Sequence, residues 1–275
     1  RLARVLVLFD DLVELYAARV ETIDHMDLAA AYHLKIARLS EEQLQDMERA
    51  IGHYRKVLEI DPMHLDAATS LEGAYQVTEQ YPELAGIYLK KVEMVTDLEE
   101  QKELLFKASQ IYEELLEQPE KAIEVYLRIL DIDEDDLQAI SQLEGLYLRL
   151  ERWDDLQGIY NRKVDLVETP EEKKEVLYVL GAMYEREMED VEKAIDTYQR
   201  ILEFDPDDFQ AIQRLDMLYT ETEQWHDLLS ILEREVELTE DPDEAVSFKF
   251  RLAELSVRHL DAVVRAVEYP CDIMT

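Results

Sequence analysis

A single cysteine, Cys271, stands in 275 residues, so no internal disulfide can form, and no Cys/His group has the spacing of a zinc site. Six glycines and seven prolines are too few for the turns of an all-β or Rossmann-type fold, while the abundant Leu, Glu, Ala and Lys/Arg favour helix. No apolar run reaches the roughly 18 residues of a membrane-spanning helix. No signal-peptide layout follows Arg1, and a soluble domain with a cytoplasmic setting is the simple reading. The chain does not begin with Met and reads as a piece of a longer protein. Cations are scarce: 29 Lys and Arg face 65 Asp and Glu, and a formal charge of −36 repels phosphate backbones, which disfavours nucleic acid as a partner. Two readings of the charge stay open, a surface kept soluble by self-repulsion and an attraction for a basic partner. With 47% hydrophobic residues, an ordered core is expected.

Catalytic patterns are also missing. There is no G-x-S-x-G, no P-loop and no G-x-G-x-x-G, and the six His, at 25, 33, 53, 64, 226 and 259, include no H-E-x-x-H and no i, i+4 pair. Asp10-Asp11-Leu12-Val13-Glu14 has the form of a magnesium motif. Its aspartates, however, align with Asp154-Asp155 at the start of a repeated helix, where the helix dipole favours carboxylates. Asp131-Ile132-Asp133-Glu134-Asp135-Asp136 resembles a calcium loop but has Asp136 and Gln142 where Gly and Glu are needed. Neither an enzyme nor a bound metal or cofactor is expected.

What is present is self-similarity. Ala50-Ile51, Ala122-Ile123, Ala194-Ile195 and Ala266-Val267 recur at a constant step of 72 in the numbering. The same step links Tyr54, Tyr126 and Tyr198; Asp61, Asp133 and Asp205; and Tyr75, Tyr147 and Tyr219. It also links Leu12, Leu84, Leu156 and Leu228, and Phe9, Tyr81, Trp153 and Trp225. Helical periodicity cannot carry agreement over such distances, so the chain is a duplicated unit, with copies starting near 27, 99, 171 and 243. Within a copy, Ile123, Tyr126, Leu127 and Leu130 form one helical stripe, and Leu143, Leu146, Tyr147 and Leu150 another. Asp97, Thr169 and Asp241, each three places before Glu100, Glu172 and Glu244, predict capping boxes, with Pro170 and Pro242 at first helical positions. Pro62 and Pro206 predict helix stops, with Glu134 as the exception.

Each copy divides unequally, into a shorter repeat of 34 and a longer one of 38, because Leu84 aligns with Ala50 and Tyr88 with Tyr54. Leu180-Gly181-Ala182-Met183-Tyr184 followed by Ala194, Tyr198 and Pro206 resembles the tetratricopeptide repeat, W-x2-L-G-x2-Y, A-x3-F, P. In the shorter repeats Leu143, Tyr147 and Tyr160 fill the same roles, but Leu156 replaces the small Ala and Glu144 the Gly, so wider helix packing is expected there. The resemblance is to a bacterial-type array of alternating lengths. It implies an all-α fold, a right-handed superhelical solenoid of antiparallel helix pairs. The solenoid would run over residues 1–275 as one domain of about six full repeats with a partial repeat at each end. Expected packing residues are Ala50, Tyr54, Tyr75, Leu84, Ala122, Tyr126, Tyr147, Leu156, Gly181, Ala194, Tyr198, Tyr219 and Leu228. Both ends lack a polar cap, which also allows end-to-end self-association, and Pro270 should kink or end the last helix near Tyr269.

In this family the first helix of each repeat lines a concave groove that receives a peptide or a partner helix. The resemblance therefore implies a groove of Phe106, Gln110, Tyr178, Phe250 and Arg251 on the longer repeats. On the shorter ones it implies Thr69, Ser70, Gln138, Ser141, Gln142, Gln210, Gln213 and Arg214. Spacing alone does not decide whether Phe106, Tyr178 and Phe250 face the groove or the core. The positions Phe106, Gln110, Ser141, Gln142, Tyr178 and Val179 lack the Lys, Asn and Arg of the family's carboxylate clamp, so chaperone-tail binding is disfavoured. The expected function is a non-catalytic protein-interaction scaffold. The alternatives are a regulatory or substrate-recruiting arm of a larger enzyme and, against the charge, an RNA-binding helical repeat.

Overall fold

The computed structural model describes residues 2–258, with residues 2–6 by backbone only. Among the described residues there are fourteen α-helices and no strand. In chain order they are α1 (Leu2–Val20), α2 (Met26–Leu39), α3 (Met47–Ile60), α4 (Leu65–Val77), α5 (Tyr81–Val92), α6 (Leu98–Gln110), α7 (Pro119–Ile132), α8 (Leu137–Arg149), α9 (Trp153–Leu166), α10 (Pro170–Arg186), α11 (Val191–Phe204), α12 (Phe209–Glu221), α13 (Trp225–Leu238) and α14 (Pro242–Arg258). Two of them, α2 and α6, run on into single π-helical turns, Ser40–Leu44 and Ile111–Leu115. Ala266-Val267, the Pro270 kink and Cys271 lie outside the described residues.

The helices form two compact units, residues 1–146 and 147–275, divided within α8. In each unit the packed helix pairs are consecutive in sequence, α1 to α7 in the first and α9 to α14 in the second. That nearest-neighbour pattern defines an α-solenoid.

Helix starts follow the predicted capping chemistry with one difference. Asp97 accepts from the Glu100 N–H at 2.9 Å. Thr169 accepts from the Glu172 N–H at 3.3 Å and donates its hydroxyl to the Glu172 carboxylate at 2.8 Å. Asp241 accepts instead from the Asp243 N–H, and Glu244 takes its hydrogen bond from Thr239. Helix ends depend on aspartate more than on proline. At Asp61 and Asp133 the side chain accepts from the N–H two places on, Met63 at 3.1 Å and Asp135 at 3.3 Å. The chain therefore turns at Asp133 although Glu134 follows, and Pro62 and Pro206 reinforce a stop that needs no proline.

The turn inside each repeat uses a device that no glycine marks. Gln45, Glu79, Glu117, Glu151, Glu189 and Glu223 all have left-handed backbones, with φ between 51° and 56°, and their numbers rise alternately by 34 and 38. After Glu79, Glu151 and Glu223 the next N–H returns to the carbonyl of Tyr75, Tyr147 and Tyr219 at 2.9–3.0 Å, closing the helix end as in a Schellman motif. In the other turns the return is one place longer, to Ser40, Tyr112 and Tyr184. Five of the six are Glu, just ahead of a helix N-terminus that favours an anion.

The packing residues are buried, from Ala50, Ala122 and Ala194 at 0% exposure to Tyr75 and Leu84 at 4%. Leu127 is the exception in its stripe and is exposed. Tyr198 lies against Gly181, where an added Cβ would come within 2.7 Å of the phenol ring. The same register place holds Ala37 and Ser109, both small. Each tyrosine hydroxyl then donates to a glutamate earlier in its repeat: Tyr54 to Glu41 at 2.6 Å, Tyr126 to Glu113 at 3.4 Å, and Tyr198 to Glu185.

Tyr198→Ala is expected to cost about 3–5 kcal/mol and Tyr198→Phe about 1 kcal/mol, read by urea denaturation, because the first empties a buried ring site and the second removes only the hydroxyl bond. Glu79→Gly should stabilise by about 1 kcal/mol, and Glu79→Val should destabilise by at least as much. Equal effects of Gly and Val would show that left-handed strain does not govern these turns.

Candidate binding surface

On the first helices of the repeats, polar residues divide into committed and uncommitted groups. Lys102 on α6 donates to Asp133 at 2.8 Å and Asp136 at 3.3 Å, and at the equivalent place of the next copy Lys174 on α10 donates to Asp205 at 2.7 Å and Asp208 at 3.0 Å. Asp136 and Asp208 also cap the next helices, accepting from the N–H of Ala139 and Ala211 at 2.9 Å. This clasp occupies Asp133 and Asp136 of the calcium-like segment. Hydrogen bonding by the carboxylates holds Lys102 and Lys174 above their ordinary pKa. At Asp208 burial opposes the charge, yet the Tyr178 hydroxyl, the Ala211 N–H and Lys174 together lower its pKa. Asp10 and Glu14 are similarly taken by Arg49 of α3.

The three aromatics at the predicted groove step do not share one environment. Phe106 is half-buried with its ring edge-on to Tyr126 at 6.0 Å between centroids. Tyr178 is half-buried 6.1 Å from Tyr198 and donates its hydroxyl to Asp208, and burial followed by that carboxylate raises its pKa. Phe250 is 60% exposed. Of the two predicted arginines, Arg214 lies 4.0 Å from Glu185, and Arg251 clamps Asp216 through two bonds of 2.6 Å. Gln110, Gln138, Ser141, Gln142, Gln210 and Gln213 are exposed, and their side chains make no hydrogen bond within the described residues.

Beside this stripe a cleft recurs once per copy. In the first unit, about 280 Å³ opens between Leu84 and Tyr88 of α5 and Lys107 and Gln110 of α6 with Ile111 of the π-helical turn that follows it. In the second unit, about 200 Å³ opens between Leu156 and Tyr160 of α9 and Val179, Ala182 and Met183 of α10. The same unit repeats it as about 220 Å³ between Leu228 and Leu232 of α13 and Arg251, Glu254 and Leu255 of α14. Leu84, Leu156 and Leu228 stand where the longer repeats carry Ala50, Ala122 and Ala194, and each of the three leucines lines its cleft.

Two groups of buried or half-buried titratable residues were not legible from motifs. The fold brings His33 of α2 and His53 of α3 together with Nδ1 atoms 2.9 Å apart, at places where the next copy carries Leu105 and Val125. Burial lowers the pKa of both, and with His33, Lys56 and Arg49 nearby that of His53 falls to about 4. In the second unit Glu235 occupies the register place of Lys91, which pairs with Glu72 at 2.6 Å in the first. Asp216 remains at the acidic place, so two carboxylates meet. Arg251 neutralises Asp216, and Glu235, 1% exposed, keeps one oxygen without a hydrogen-bond partner. Burial, then Asp216, raises its pKa to about 7. Among the described residues no three His, Cys, Asp or Glu are grouped to hold a metal, and no helix is long and apolar enough to cross a membrane.

Consecutive helix pairs with an open, side-chain-lined surface define a helical-repeat scaffold. The chain belongs to the tetratricopeptide repeat family: models of that repeat match residues 30–64, 102–136, 139–174, 175–208 and 211–246, which is more than half its length. Tetratricopeptide repeats are protein-interaction modules. No curated protein matches. Similar solved structures include YrrB, described as a TPR protein with an unusual peptide-binding site, at 19% identity over 86% of this chain and 98% of that one, with a TM-score of 0.30. A tetratricopeptide repeat protein from Parabacteroides merdae is 13% identical over 89% of this chain and 92% of its own, TM-score 0.33. PilF of Pseudomonas aeruginosa is 16% identical over 90% and 91%, TM-score 0.33. Family membership rests on the repeat models rather than on these likenesses.

The two buried sites titrate in opposite senses. His53 has a folded pKa of about 4 against an ordinary 6.5, so its contribution to stability is complete above pH 6.5 and is lost as pH falls toward 4. Glu235 has a folded pKa of about 7 against 4.5, so its contribution is complete below pH 4.5 and is lost as pH rises toward 7. Thermal melts across this range should show that His53→Val removes the acid-side loss. Glu235→Gln should remove the neutral-side loss and stabilise by about 1–3 kcal/mol at neutral pH. Parallel pH curves for wild type and both variants would refute the assignment.

Proposed function

We propose that the chain is a non-catalytic scaffold that holds an extended peptide or a helix of a partner protein along the exposed faces of its first helices. The observation that carries this reading is the set of uncommitted amides and hydroxyls, Gln110, Gln138, Ser141 and Gln142 in the first unit and Gln210 and Gln213 in the second. Lys102, Lys174 and Tyr178 on these same helices are spent on clasps. An exposed amide without an internal partner can bond a peptide backbone, and the adjacent clefts can take apolar side chains. A charge of −36 favours a basic partner and speeds its encounter. As an arm of a larger enzyme, the chain would recruit substrate through the same surface.

Peptides selected from a random displayed library on the intact chain should be enriched in basic and apolar residues, and their affinity should fall about tenfold in Gln210→Ala/Gln213→Ala. These residues are exposed, so the melting temperature should not change. Unchanged affinity in that variant would remove the stripe as the binding surface.

A further inference from the structure

The middle cleft adjoins a second, chemically different space. Around Trp153, at the start of α9, a bay of about 410 Å³ is bounded by Glu151, Asp154, Asp155 and Glu187, and it shares Trp153 and Glu187 with the apolar cleft beside Leu156 and Ala182. The cation lining the bay, Arg152, is already spoken for: its Nε donates to Asp155 at 2.8 Å, and its guanidinium lies over the Tyr147 ring at 5.1 Å. Lys193 feels the charge of Asp154 but pairs with Asp190 at 3.0 Å. Glu151, Asp154 and Glu187 are exposed and take part in no ion pair among the described residues.

The repeat register separates the ordinary from the particular here. A Glu at 151 recurs as Glu79 and Glu223, and an acid at 155 recurs as Glu83 and Asp227, so both belong to the repeat. The place of Asp154 is held by Pro82 and His226 in the neighbouring copies, and where it is acidic, at Asp10, Arg49 takes the carboxylate. Leu115 stands where Glu187 does. Glu187 is moreover the residue that closes the C-terminus of α10, the end at which the helix dipole disfavours an anion. No ion pair within the described residues offsets that placement. The aromatic between the two spaces is half-buried, leaving part of the indole open to a cation.

We propose that Trp153 and its two flanking spaces form a docking site for a segment of another protein that presents an arginine or lysine beside an aliphatic side chain. The cation lies over the indole among Asp154, Glu187 and Glu151, and the aliphatic group enters the cleft between α9 and α10. Charge complementarity selects this occupant: three carboxylates without an ion pair among the described residues outnumber Arg186 at the edge of an otherwise apolar cleft, and an anionic or wholly polar segment would leave the carboxylates, the cleft or both unsatisfied. The site uses none of the uncommitted amides of the stripe, so it can fail without the scaffold reading failing.

The probe is a short synthetic peptide of alternating arginine and leucine, titrated into the intact chain carrying Trp225→Phe, so that Trp153 is the sole indole. Binding should shift the Trp153 emission and weaken with salt. Affinity should fall about tenfold in Asp154→Asn/Glu187→Gln and in the cleft-filling Ala182→Met. Peptides with glutamate for arginine, or serine for leucine, should bind at least about tenfold more weakly. Gln210→Ala/Gln213→Ala should leave the titration unchanged. The charge-neutralised variant alters only exposed side chains and decides the matter if Ala182→Met does not fold. Equal binding of the glutamate peptide, a silent Trp153, undiminished affinity in the charge-neutralised variant, or loss of binding in the stripe variant would each overturn the proposal.

Discussion

A tyrosine lying across a residue with almost no side chain fixes the spacing of the longer repeats, and much of the structure follows from that contact. Tyr198 approaches Gly181 so closely that a Cβ would force the ring to move. Ala37 and Ser109 occupy the same place beneath the register of Tyr54 and Tyr126. Burial of the ring brings two helices together, while its hydroxyl reaches a glutamate at the margin, so a single residue joins apolar packing to the charged exterior. Because the packed helices within each unit are sequence neighbours, the contact must be repeated along a unit for its helices to hold together. The shorter repeats follow another rule. Leu84, Leu156 and Leu228 replace alanine, and each lines a cleft.

Features that recur and are apolar can be read from the sequence. The constant step between copies, the buried tyrosines and alanines, and the caps at Asp97 and Thr169 all follow from spacing, because burial and capping restrict residue type at each copy. The left-handed turns are not legible, although they recur, because glutamate is not the residue whose chemistry announces a positive φ. The clasp of Lys102 and Lys174 is half legible. Asp133 and Asp205 stand out in the register, but their lysines sit on α6 and α10, the first helices of the same repeats, a pairing only the folded helix pair creates. His33 and His53 have no metal spacing, yet adjacent helices bring them together as a neutral pair. Among the stripe residues, spacing cannot tell that Tyr178 is tied to Asp208 while Phe250 is exposed.

The acidic excess resolves into parts with different physical meaning. Some carboxylates are structural: Asp97, Asp190 and Asp208 cap helices, Glu41 and Glu185 receive tyrosine hydroxyls, and Asp133 and Asp205 receive lysines. These carry charge as a by-product of satisfying backbone and hydroxyl donors, and they would be present in a neutral protein of the same fold. Glu235 is the opposite case, a carboxyl placed where an earlier copy has lysine, buried beside Asp216 and favoured in its neutral form. The remaining class contains Asp154, in the first turn of α9 where the helix dipole favours an anion, and Glu187; among the described residues neither caps a helix through its side chain nor forms an ion pair, and the neighbouring copies replace both. Self-repulsion for solubility would be served as well by acids spread over any exposed face. Their convergence on one indole, beside an apolar cleft and with Glu187 at a helix end that disfavours it, is not explained by solubility, and it is this local excess rather than the total charge that gives the surface a direction.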